Sequence, residues 1–562
     1  MKLIFMKRTI KSLTLAIGII MCLAQCTPKP TAQANYEVIP MPQEIVLEDE
    51  AQPFVLHSGT VINYTKGNAE MQRNAQFLSE YLEPQLGYKL KTRESDASDG
   101  IVLQLNEGDA QNEGYTINVN SQRVLVEATS AAGVFHAVQT IRKSLPVEQG
   151  AVVALPAGTI TDAPRFDYRG AHLDIVRHFF PIDSVKAYID ILALHNMNKL
   201  HWHLSDDQGW RIEINRFPKL TEIGSMRCGT MIGKDWNSND SIPYGGFYTQ
   251  EEAREIVRYA AERYITVIPE IDLPGHMVAA LTAYPELGCT GGPYEVRTTW
   301  GISDDLLCAG NPAVYDFIDG VLDEIMEIFP SKDVHIGGDE CPKIRWEACK
   351  KCQQKIKELG IKADSKYTAE QKLQAYITKH VDDYLTAHGH NAIGWDEILE
   401  GGVSDNATIM SWRGEAGGIE AAQLKHRVIM VPNNYLYFDY YQTKDRENEP
   451  FAIGGYVPIN HVYGYDPLPA ALSEEEKSYI WGVQANVWTE YIHTFSHVLY
   501  MFLPRGAALS EIQWTNPERK DYEKFKNERL PRLMKIYDLY GYNYSRRVFT
   551  DKEETGDVNI GW

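Results

Sequence analysis

The stretch that decides the fold reads RGAHLDIVRHFFPIDSVKAYIDILALHNMNKLHWHL, from Arg169 to Leu204. It begins with a short apolar run, continues through a loop and a helical segment, and ends in a second apolar run. Similar runs recur along the chain, and the eight that we interpret as strands cover residues 169–176, 199–204, 265–271, 333–337, 391–395, 408–412, 427–432 and 480–488. Eight strand–helix units over about 350 residues predict an α/β fold, a (β/α)8 TIM barrel with long insertions after Phe217 and between residues 287 and 308.

A smaller unit precedes this barrel. Residues 100–105, 115–119 and 124–127 have strand-like patterns, and residues 130–145 place apolar side chains on one face of a helix. We therefore expect an N-terminal α/β domain over residues 36–162 and the barrel over residues 163–540. The barrel should end in a closing helix that is interrupted at Pro531. Residues 541–562 are polar, and we expect them to form a loose tail.

The N-terminus is typical of an export signal. Four basic residues within the first eleven precede a short apolar run at residues 13–23, which is too short to span a membrane. Residues 23–26, LAQC, resemble a bacterial lipobox, although Gln25 stands where a small residue is usual. We expect a signal peptide over residues 1–26, a lipid anchor on Cys26, a flexible tether over residues 27–35, and a location in the periplasm or at the cell surface. Plain secretion with cleavage near Ala24 is the alternative.

Composition narrows the possible partners. The 562 residues include 76 acidic and 55 basic side chains, a formal net charge of -21. A nucleic-acid partner is not expected, because phosphate binding needs a basic surface. The oligomeric state stays open.

Carboxylates and aromatic side chains follow nearly every predicted strand. The residues in question are Asp174, Arg177, Asp206, Asp207, Glu270, Asp272, Asp339, Glu340, Trp395, Trp412, Tyr437, Asp439, Trp488 and Glu490. The carboxyl ends of the strands meet at one face of a barrel, so these side chains should surround one cavity. Carboxylates accept hydrogen bonds from hydroxyl groups, and aromatic faces cover the C–H faces of sugar rings. The pattern therefore predicts a binding site for a neutral, polyhydroxylated ligand.

Residues 334–340, VHIGGDE, resemble the signature of glycoside hydrolase family 20, the β-N-acetylhexosaminidases. Residues 201–211 (HWHLSDDQGWR), 269–276 (PEIDLPGH), 394–397 (GWDE) and 488–490 (WTE) resemble further blocks of that family in the same order. The resemblance extends from about residue 39 to Trp514. It implies an N-terminal α/β domain before a (β/α)8 barrel. It also implies exo-acting removal of terminal, β-linked N-acetylglucosamine or N-acetylgalactosamine from a glycan, with no cofactor and no metal.

The resemblance also implies a retaining, substrate-assisted mechanism. The 2-acetamido oxygen of the sugar would attack its own anomeric carbon to form an oxazolinium intermediate. Glu340 would be the general acid and then the general base. Asp339 would hold the acetamido N–H and stabilise the positive charge, while Tyr437 would orient the acetamido carbonyl.

The remaining roles are implied in the same way. Three indoles would enclose the acetamido methyl group, namely Trp395, Trp412 and Trp488. Arg177 would grip the O3 and O4 hydroxyls with support from Asp206 or Asp207, and the acceptors for the O4 and O6 side would be Asp439 and Glu490. His276 would line the pocket near the acid, with Asp272 as its partner.

The cysteines and one histidine pair allow other interpretations. Cys289 and Cys308 flank a glycine-rich stretch and are candidates for a disulfide in an exported protein. The loose cluster of Cys341, Cys349 and Cys352 lacks the fourth ligand and the spacing expected of a structural zinc site. His201 and His203 share one face of a strand, but no third histidine is suitably placed for a metal. Asp396 and Glu397 are more typical of the start of a helix than of sugar ligands.

Three other functions remain open. The protein could be a surface glycan-binding lipoprotein without turnover, although such a protein has no need of an acid at Glu340. It could be a metal-dependent amidohydrolase on the same fold, which a chelator would inactivate. Within the family, a roomier pocket would release a disaccharide such as lacto-N-biose. The natural glycan and the preference between glucosamine and galactosamine stay open.

Overall fold

The computed structural model describes residues 28–95 and 97–550, so the signal peptide predicted for residues 1–26 lies outside the described residues. The N-terminal domain contains the strands β1 (Ala32–Gln33), β2 (Glu44–Leu47), β3 (Phe54–Leu56), β4 (Val61–Tyr64), β5 (Lys91–Glu94), β6 (Gly100–Leu105), β7 (Tyr115–Val119), β8 (Arg123–Ala128), β9 (Val153–Leu155) and β10 (Gly158–Asp162). Its helices are α1 (Ala69–Leu86) and α2 (Ala131–Ser144).

This domain is built on a seven-stranded mixed sheet with the order β2-β10-β7-β8-β6-β4-β5. Both helices contribute buried side chains to the core of this sheet. The helix predicted over residues 130–145 is confirmed as α2, with Ser130 as its N-cap accepting a hydrogen bond from the Gly133 amide. The prediction of a flexible tether over residues 27–35 is wrong for its last residues, because Ala32 and Gln33 form strand β1. The Thr31 amide donates to the Val152 carbonyl at 2.8 Å, and β1 pairs with β9, because the edge of β9 offers free backbone groups.

The remaining strands are β11 (Tyr168–Asp174), β12 (Lys199–His203), β13 (Ser205–Asp206), β14 (Gly209–Trp210), β15 (Met226–Arg227), β16 (Met231–Ile232), β17 (Asp235–Asn239), β18 (Tyr244–Gly245), β19 (Thr266–Glu270), β20 (Asp333–His335), β21 (Asn391–Trp395), β22 (Thr408–Ser411), β23 (Val428–Met430) and β24 (Ile480–Ala485). The remaining α-helices are α3 (Ile182–Leu194), α4 (Lys219–Glu222), α5 (Gln250–Ala261), α6 (Val278–Ala283), α7 (Pro312–Ile328), α8 (Ile344–Ala348), α9 (Lys350–Glu358), α10 (Ala369–Ala387), α11 (Ala416–Gln423), α12 (Asn433–Leu436), α13 (Ile459–Gly464), α14 (Glu474–Lys477), α15 (Phe495–Phe502), α16 (Arg505–Trp514), α17 (Tyr522–Lys524) and α18 (Leu530–Tyr540).

The predicted (β/α)8 barrel is confirmed. Strands β11, β12 and β19 to β24 pair in parallel and close on themselves, because β24 pairs with β11. Every predicted strand corresponds to one of these strands. Several end earlier than predicted; β24 ends at Ala485, for example, where we expected residue 488. The chain leaves the ladder at these points, and the loops carry the side chains to the mouth of the barrel.

The closing segment joins the two domains. The indole of Trp514 donates to the Asp162 carboxylate at 2.9 Å, and Glu511 pairs with Arg529 at 2.5 Å. Both Trp514 and Glu511 are fully buried, so their role is structural. The predicted interruption of the closing helix is a π-helical turn, Phe525–Arg529, after which Pro531 lies in the first turn of α18.

The predicted loose tail is wrong for residues 541–550. Tyr544 packs against the barrel core, and the Ser545 amide donates to the Leu503 carbonyl at 3.1 Å. Residues 551–562 lie outside the description. Within the described part of the chain, no helix is both long and apolar enough to cross a membrane.

The cysteines are arranged differently from the prediction. Cys289 and Cys308 do not form a disulfide, and all six cysteines of the described residues are free. Cys289 and Cys308 instead lie beside Cys349 and Cys352. Cys341 is not a member of this group, because it directly follows the Asp339-Glu340 turn.

Candidate active site

The turn after β20 carries the Asp339-Glu340 pair on unusual backbone. Gly337, Gly338 and Glu340 have φ angles of 65°, 98° and 41°. A Cβ atom on Gly337 would lie 1.8 Å from Oδ1 of Asp272, so only glycine fits at this position. A non-glycine residue at positive φ is strained, and such strain concentrates at functional sites. The two glycines therefore allow consecutive acidic side chains to enter one cavity, as the sequence suggested.

A cavity of about 620 Å³ opens at this end of the barrel. The predicted site residues that line it are Arg177, Asp206, His276, Asp339, Glu340, Trp395, Trp412, Tyr437, Asp439, Trp488 and Glu490. Asp174, Asp207, Glu270 and Asp272, which we also expected around the cavity, do not line it. The lining residues come from all eight barrel strands or the loops after them, which is why no short sequence window contains the site.

The sequence predicts Asp207 as a site residue, but it does not line the cavity. Its side chain is fully buried outside the cavity lining. One carboxylate oxygen accepts from the Val278 amide at 3.1 Å, and the other pairs with Arg297 at 3.3 Å. Asp207 thus holds the loop after β19 in place, and the carboxylate that supports Arg177 is Asp206.

His276 links two pairs of acids. Its Nδ1 lies 3.2 Å from Asp206 and 3.4 Å from Asp207, and its Nε2 lies 3.8 Å from Asp339 and 3.5 Å from Glu340. Burial alone would lower the pKa of His276, but the carboxylates of Asp206, Asp207 and Glu340 raise it well above its usual value. The neighbouring carboxylates therefore favour the imidazolium form of His276, which faces both acids of the turn after β20.

Asp339 and Glu340 have different environments. The side chain of Asp339 is 14% exposed and that of Glu340 is 33% exposed. Burial raises the pKa of Asp339 to about 6, the nearby Glu340 carboxylate contributes in the same direction, and the His276 cation opposes both. Asp339 is thus largely desolvated, while Glu340 is more accessible to solvent.

Asp272 does not pair with His276, which corrects the expected partnership. Its Oδ1 accepts from the Gly338 amide at 3.4 Å. Burial, reinforced by the Asp339 carboxylate, raises the pKa of Asp272 well above its usual value. Asp272 therefore supports the backbone of the turn after β20.

Aromatic side chains form one wall of the cavity. The rings of Trp395 and Trp488 are 6.0 Å apart, and those of Trp412 and Tyr437 are stacked at 6.1 Å. Two indole N–H groups are fixed by acids, since Trp395 donates to Glu270 at 3.0 Å and Trp412 donates to Glu397 at 2.9 Å. The ring faces are consequently held at fixed angles around a space suited to a small apolar group.

Asp396 and Glu397 form the first turn of a short 3-10 helix, Asp396–Leu399, as expected of a helix-start pair. Glu397 also orients Trp412, a contact that the sequence did not reveal.

Arg177 lies over the Trp488 ring, with its guanidinium carbon 5.1 Å from the ring centroid, and is surrounded by acids. It pairs with Asp206 at 2.7 Å and with Asp174 at 3.2 Å, and its Nε donates to Gln208 at 2.9 Å. Burial opposes its charge, but Asp206 and Glu490 raise the pKa of Arg177 well above its usual value. Arg177 therefore both forms an ion pair with Asp174 and lines the cavity.

Asp439 and Glu490 also line the cavity. Burial raises the pKa of both carboxyl groups. Oδ1 of Asp439 is buried and has no hydrogen-bond partner within the described residues. A buried oxygen without a partner is costly, so it is suited to bonding a ligand hydroxyl.

His201 and His203 point at a buried carboxylate within the barrel. Nδ1 of His203 lies 2.5 Å from Glu270, and Nε2 of His201 lies 3.0 Å from it. The fold also brings His335 to 2.9 Å from Glu270, a third histidine that sequence spacing did not suggest. Glu270 in turn accepts from the Trp395 indole, so this cluster supports the aromatic wall.

The cavity rim contains residues that the sequence analysis missed. They belong mainly to the long insertions and to loops after the last strands, and include Lys234, Trp236, Trp300, Ile302, Tyr440 and Tyr491. The side chains of Trp236 and Ile302 are 56% and 51% exposed, respectively. Isolated tryptophans in polar loops were the available signal, but nothing in the sequence indicated which loop folds over the barrel mouth.

Comparisons with known proteins agree with this geometry. The sequence model described as glycosyl hydrolase family 20, catalytic domain, matches residues 166–517, and the model of domain 2 of the same family matches residues 35–163. A β-hexosaminidase of Porphyromonas gingivalis is 41% identical over 92% of this chain, which spans 65% of the length of that relative. A β-hexosaminidase of Vibrio furnissii is 36% identical over 85% of this chain and 77% of its own length.

A solved structure is similar over nearly its whole length. The N-acetyl-β-hexosaminidase of Streptomyces plicatus, in complex with Thio-NAglucal, aligns with a TM-score of 0.78 and 32% identity. The alignment covers 92% of this chain and 97% of that chain.

Proposed function

Because this chain belongs to glycosyl hydrolase family 20, we propose that it removes terminal N-acetylhexosamine from glycans with Asp339 and Glu340 as its catalytic pair. The enzyme is an exo-acting β-N-acetylhexosaminidase that uses substrate assistance. The observation that carries the assignment of roles is that two consecutive acids share one cavity with an aromatic wall and with Arg177. A binding protein without turnover would need the wall and the arginine, but not the acids.

In the first step, the acetamido oxygen forms a bond to the anomeric carbon as the glycosidic bond breaks. The leaving oxygen takes the electron pair of that bond and a proton from Glu340, the more exposed acid. Asp339 accepts the acetamido N–H and faces the positive charge that develops on the oxazolinium ring. Its buried position makes this electrostatic interaction strong, because little water screens it.

In the second step, Glu340 removes a proton from water, and the water oxygen attacks the anomeric carbon. The ring opens, the acetamido group is restored, and the sugar leaves with its original anomeric configuration. The same carboxyl group has acted as acid and as base, so it ends in its starting protonation state.

The aromatic wall favours the cyclic conformation of the acetamido group. Trp395, Trp412 and Trp488 leave a narrow apolar space for the methyl group, and the Tyr437 hydroxyl donates to the carbonyl oxygen that attacks. Holding that oxygen near the anomeric carbon makes the reaction effectively intramolecular, which supplies much of the rate enhancement in such reactions.

The polar side chains that line the cavity support recognition of a chain terminus. Arg177 donates to the sugar hydroxyls, while Asp439 and Glu490 accept from them. These side chains close the cavity beyond the non-reducing sugar, so a longer chain cannot continue in that direction. The remainder of the bound glycan extends out of the cavity past its rim. There, the exposed face of Trp236 offers a surface for a second sugar.

The predicted export of the protein is consistent with a glycan substrate. The basic N-terminus, the short apolar run and the lipobox-like LAQC at residues 23–26 support a lipoprotein outside the cytoplasm, where glycans occur.

A product screen tests the proposal. Defined oligosaccharides with terminal N-acetylglucosamine, N-acetylgalactosamine or lacto-N-biose are incubated with the wild type, Glu340→Gln and a matched control, Glu347→Gln, whose side chain is exposed on α8. We expect wild type and Glu347→Gln to release monosaccharides only, and Glu340→Gln to be nearly inactive on them. Release of a disaccharide, full activity of Glu340→Gln, or binding with no turnover would contradict the proposal.

A further inference from the structure

Four cysteine sulfurs from two distant segments meet at one point beside the barrel. Sγ of Cys308 lies 3.7 Å from Sγ of Cys349 and 3.6 Å from Sγ of Cys352, and Sγ of Cys289 lies 3.9 Å from Sγ of Cys352. All four sulfurs lie within 4.8 Å of one another. Cys308 and Cys352 are buried, and Cys289 and Cys349 are half-buried.

These distances match a tetrahedral thiolate site. Four sulfurs at about 2.3 Å from a zinc ion are about 3.8 Å from one another. The Cys349-Lys-Lys-Cys352 pair has the C-x-x-C spacing of structural zinc sites, with Cys349 at the N-cap of α9 and Cys352 in its first turn. We propose that Cys289, Cys308, Cys349 and Cys352 bind one Zn²⁺ ion as a structural site.

The backbone is built to keep these sulfurs together. Gly288 and Leu307 form an antiparallel bridge, which places Cys289 beside Cys308. On the other side, a Cβ atom on Gly310 would lie 2.2 Å from the backbone carbon of Lys351, so the two ligand segments are in direct backbone contact. The site is therefore preformed by packing and not only by the cysteine side chains.

A pair of disulfides is the competing interpretation, and the geometry does not favour it. Bonded sulfurs lie about 2.05 Å apart. The sulfur of Cys308 lies at almost equal distances from Cys349 and Cys352, so no pairing is singled out. A single tetrahedral ion accounts for all the contacts at once, and its binding releases the four thiol protons.

The ion would join two segments that shape the catalytic cavity without entering it. Residues 287–308 carry Trp300 and Ile302 to the cavity rim, and Cys349 and Cys352 follow the catalytic turn through α8. None of the four cysteines lines the cavity. Two further contacts connect the same segments, since Arg345 pairs with Asp305 at 2.8 Å and the Trp346 indole donates to the Leu307 carbonyl at 3.0 Å.

Metal analysis and thiol mapping of the purified, exported protein test the site. We expect roughly one zinc ion per wild-type chain. The zinc content should fall at least about five-fold in Cys308→Ser and Cys352→Ser. Cys228→Ser should lose no zinc, because Cys228 is exposed and outside the cluster. After denaturation with a chelator, alkylation should label all four cluster cysteines. If the serine variants do not fold, wild-type protein stripped of metal should regain one equivalent of Co²⁺ with the visible bands of tetrahedral thiolate coordination.

Two results would overturn the inference. One is an intact mass that is four hydrogens lower than that of the fully reduced chain, two for each of two disulfides that connect these cysteines. The other is a folded wild type with four free thiols that contains no zinc and takes up neither Zn²⁺ nor Co²⁺. Neither result bears on the glycosidase assignment, which is measured separately by hydrolysis of p-nitrophenyl N-acetylglucosaminide.

Discussion

Replacing Asp339 by asparagine removes one negative charge from a buried position while keeping the size of the side chain. We take the positive charge of the oxazolinium intermediate to lie about 4 Å from this carboxylate, a typical ion-pair separation. At an effective dielectric constant of about 20, that attraction is worth about 4 kcal/mol, or about three powers of ten in rate. An amide dipole retains only a small part of it, so we expect kcat/KM to fall roughly 300- to 1,000-fold at pH 7.5.

The pH dependence of this loss is a second part of the same prediction. Burial raises the pKa of Asp339 to about 6, and the ionised form is the active one. The wild type therefore loses kcat/KM as the pH falls through about 6, and at pH 5 about one Asp339 side chain in ten is ionised. The penalty for Asp339→Asn should accordingly shrink about ten-fold between pH 7.5 and pH 5.

The assay is hydrolysis of p-nitrophenyl N-acetylglucosaminide across this pH range, with circular dichroism to check folding. Asp304→Asn is the matched control, because Asp304 is exposed and outside the cavity lining. A folded Asp339→Asn enzyme that loses less than about ten-fold at pH 7.5 would refute the reasoning, as would a penalty that does not change with pH.

Three further predictions concern neighbouring side chains. The rate of Glu340→Gln should fall about 10²- to 10⁴-fold on substrates with poor leaving groups, and much less in the first step when the leaving group is dinitrophenolate. A series of substrates with different leaving groups measures this difference, and equal losses across the series would exclude Glu340 as the acid. His276→Gln removes a cation that lowers the pKa of Asp339, so the acid limb of the kcat/KM profile should move to higher pH, whereas a shift to lower pH would contradict the electrostatics. Trp236→Ala should raise KM for a chitooligosaccharide about 2- to 10-fold and leave KM for the p-nitrophenyl substrate nearly unchanged; equal effects on both would exclude a stacking role at the rim.

The features that could be predicted from the sequence are those that depend on local pattern. Strand periodicity predicts that Asp339, Trp395 and Trp488 lie at or shortly after strand ends, and parallel strands bring such ends together at one face of a barrel. The fold class and most of the cavity lining follow from these two facts.

The errors concern contacts between segments that are distant in sequence. Asp272 is two residues from Glu270 and four from His276, so it was the natural partner for the histidine, but its side chain turns toward the Gly338 amide. Asp206 and Asp207 are adjacent, yet only Asp206 faces the cavity, because neighbouring side chains leave the backbone in different directions.

The cysteines show the same limit more clearly. Cys289 and Cys308 are far from Cys349 and Cys352 in sequence, and only the fold brings the two pairs together. Cys341, which sequence proximity placed with the second pair, belongs to the catalytic turn and lies outside the cluster. Spacing alone could therefore suggest a ligand pair, but not the complete set.

The central claim is that the acetamido oxygen of the substrate is the nucleophile. It is tested most directly by a series of p-nitrophenyl glucosaminides whose N-acetyl group carries zero, one, two or three fluorine atoms. Fluorine withdraws electrons from the carbonyl oxygen without much change in size, so kcat/KM should fall steeply with each added fluorine. A rate that is nearly independent of fluorination, or full hydrolysis of the corresponding glucoside without an acetamido group, would show that the nucleophile comes from elsewhere.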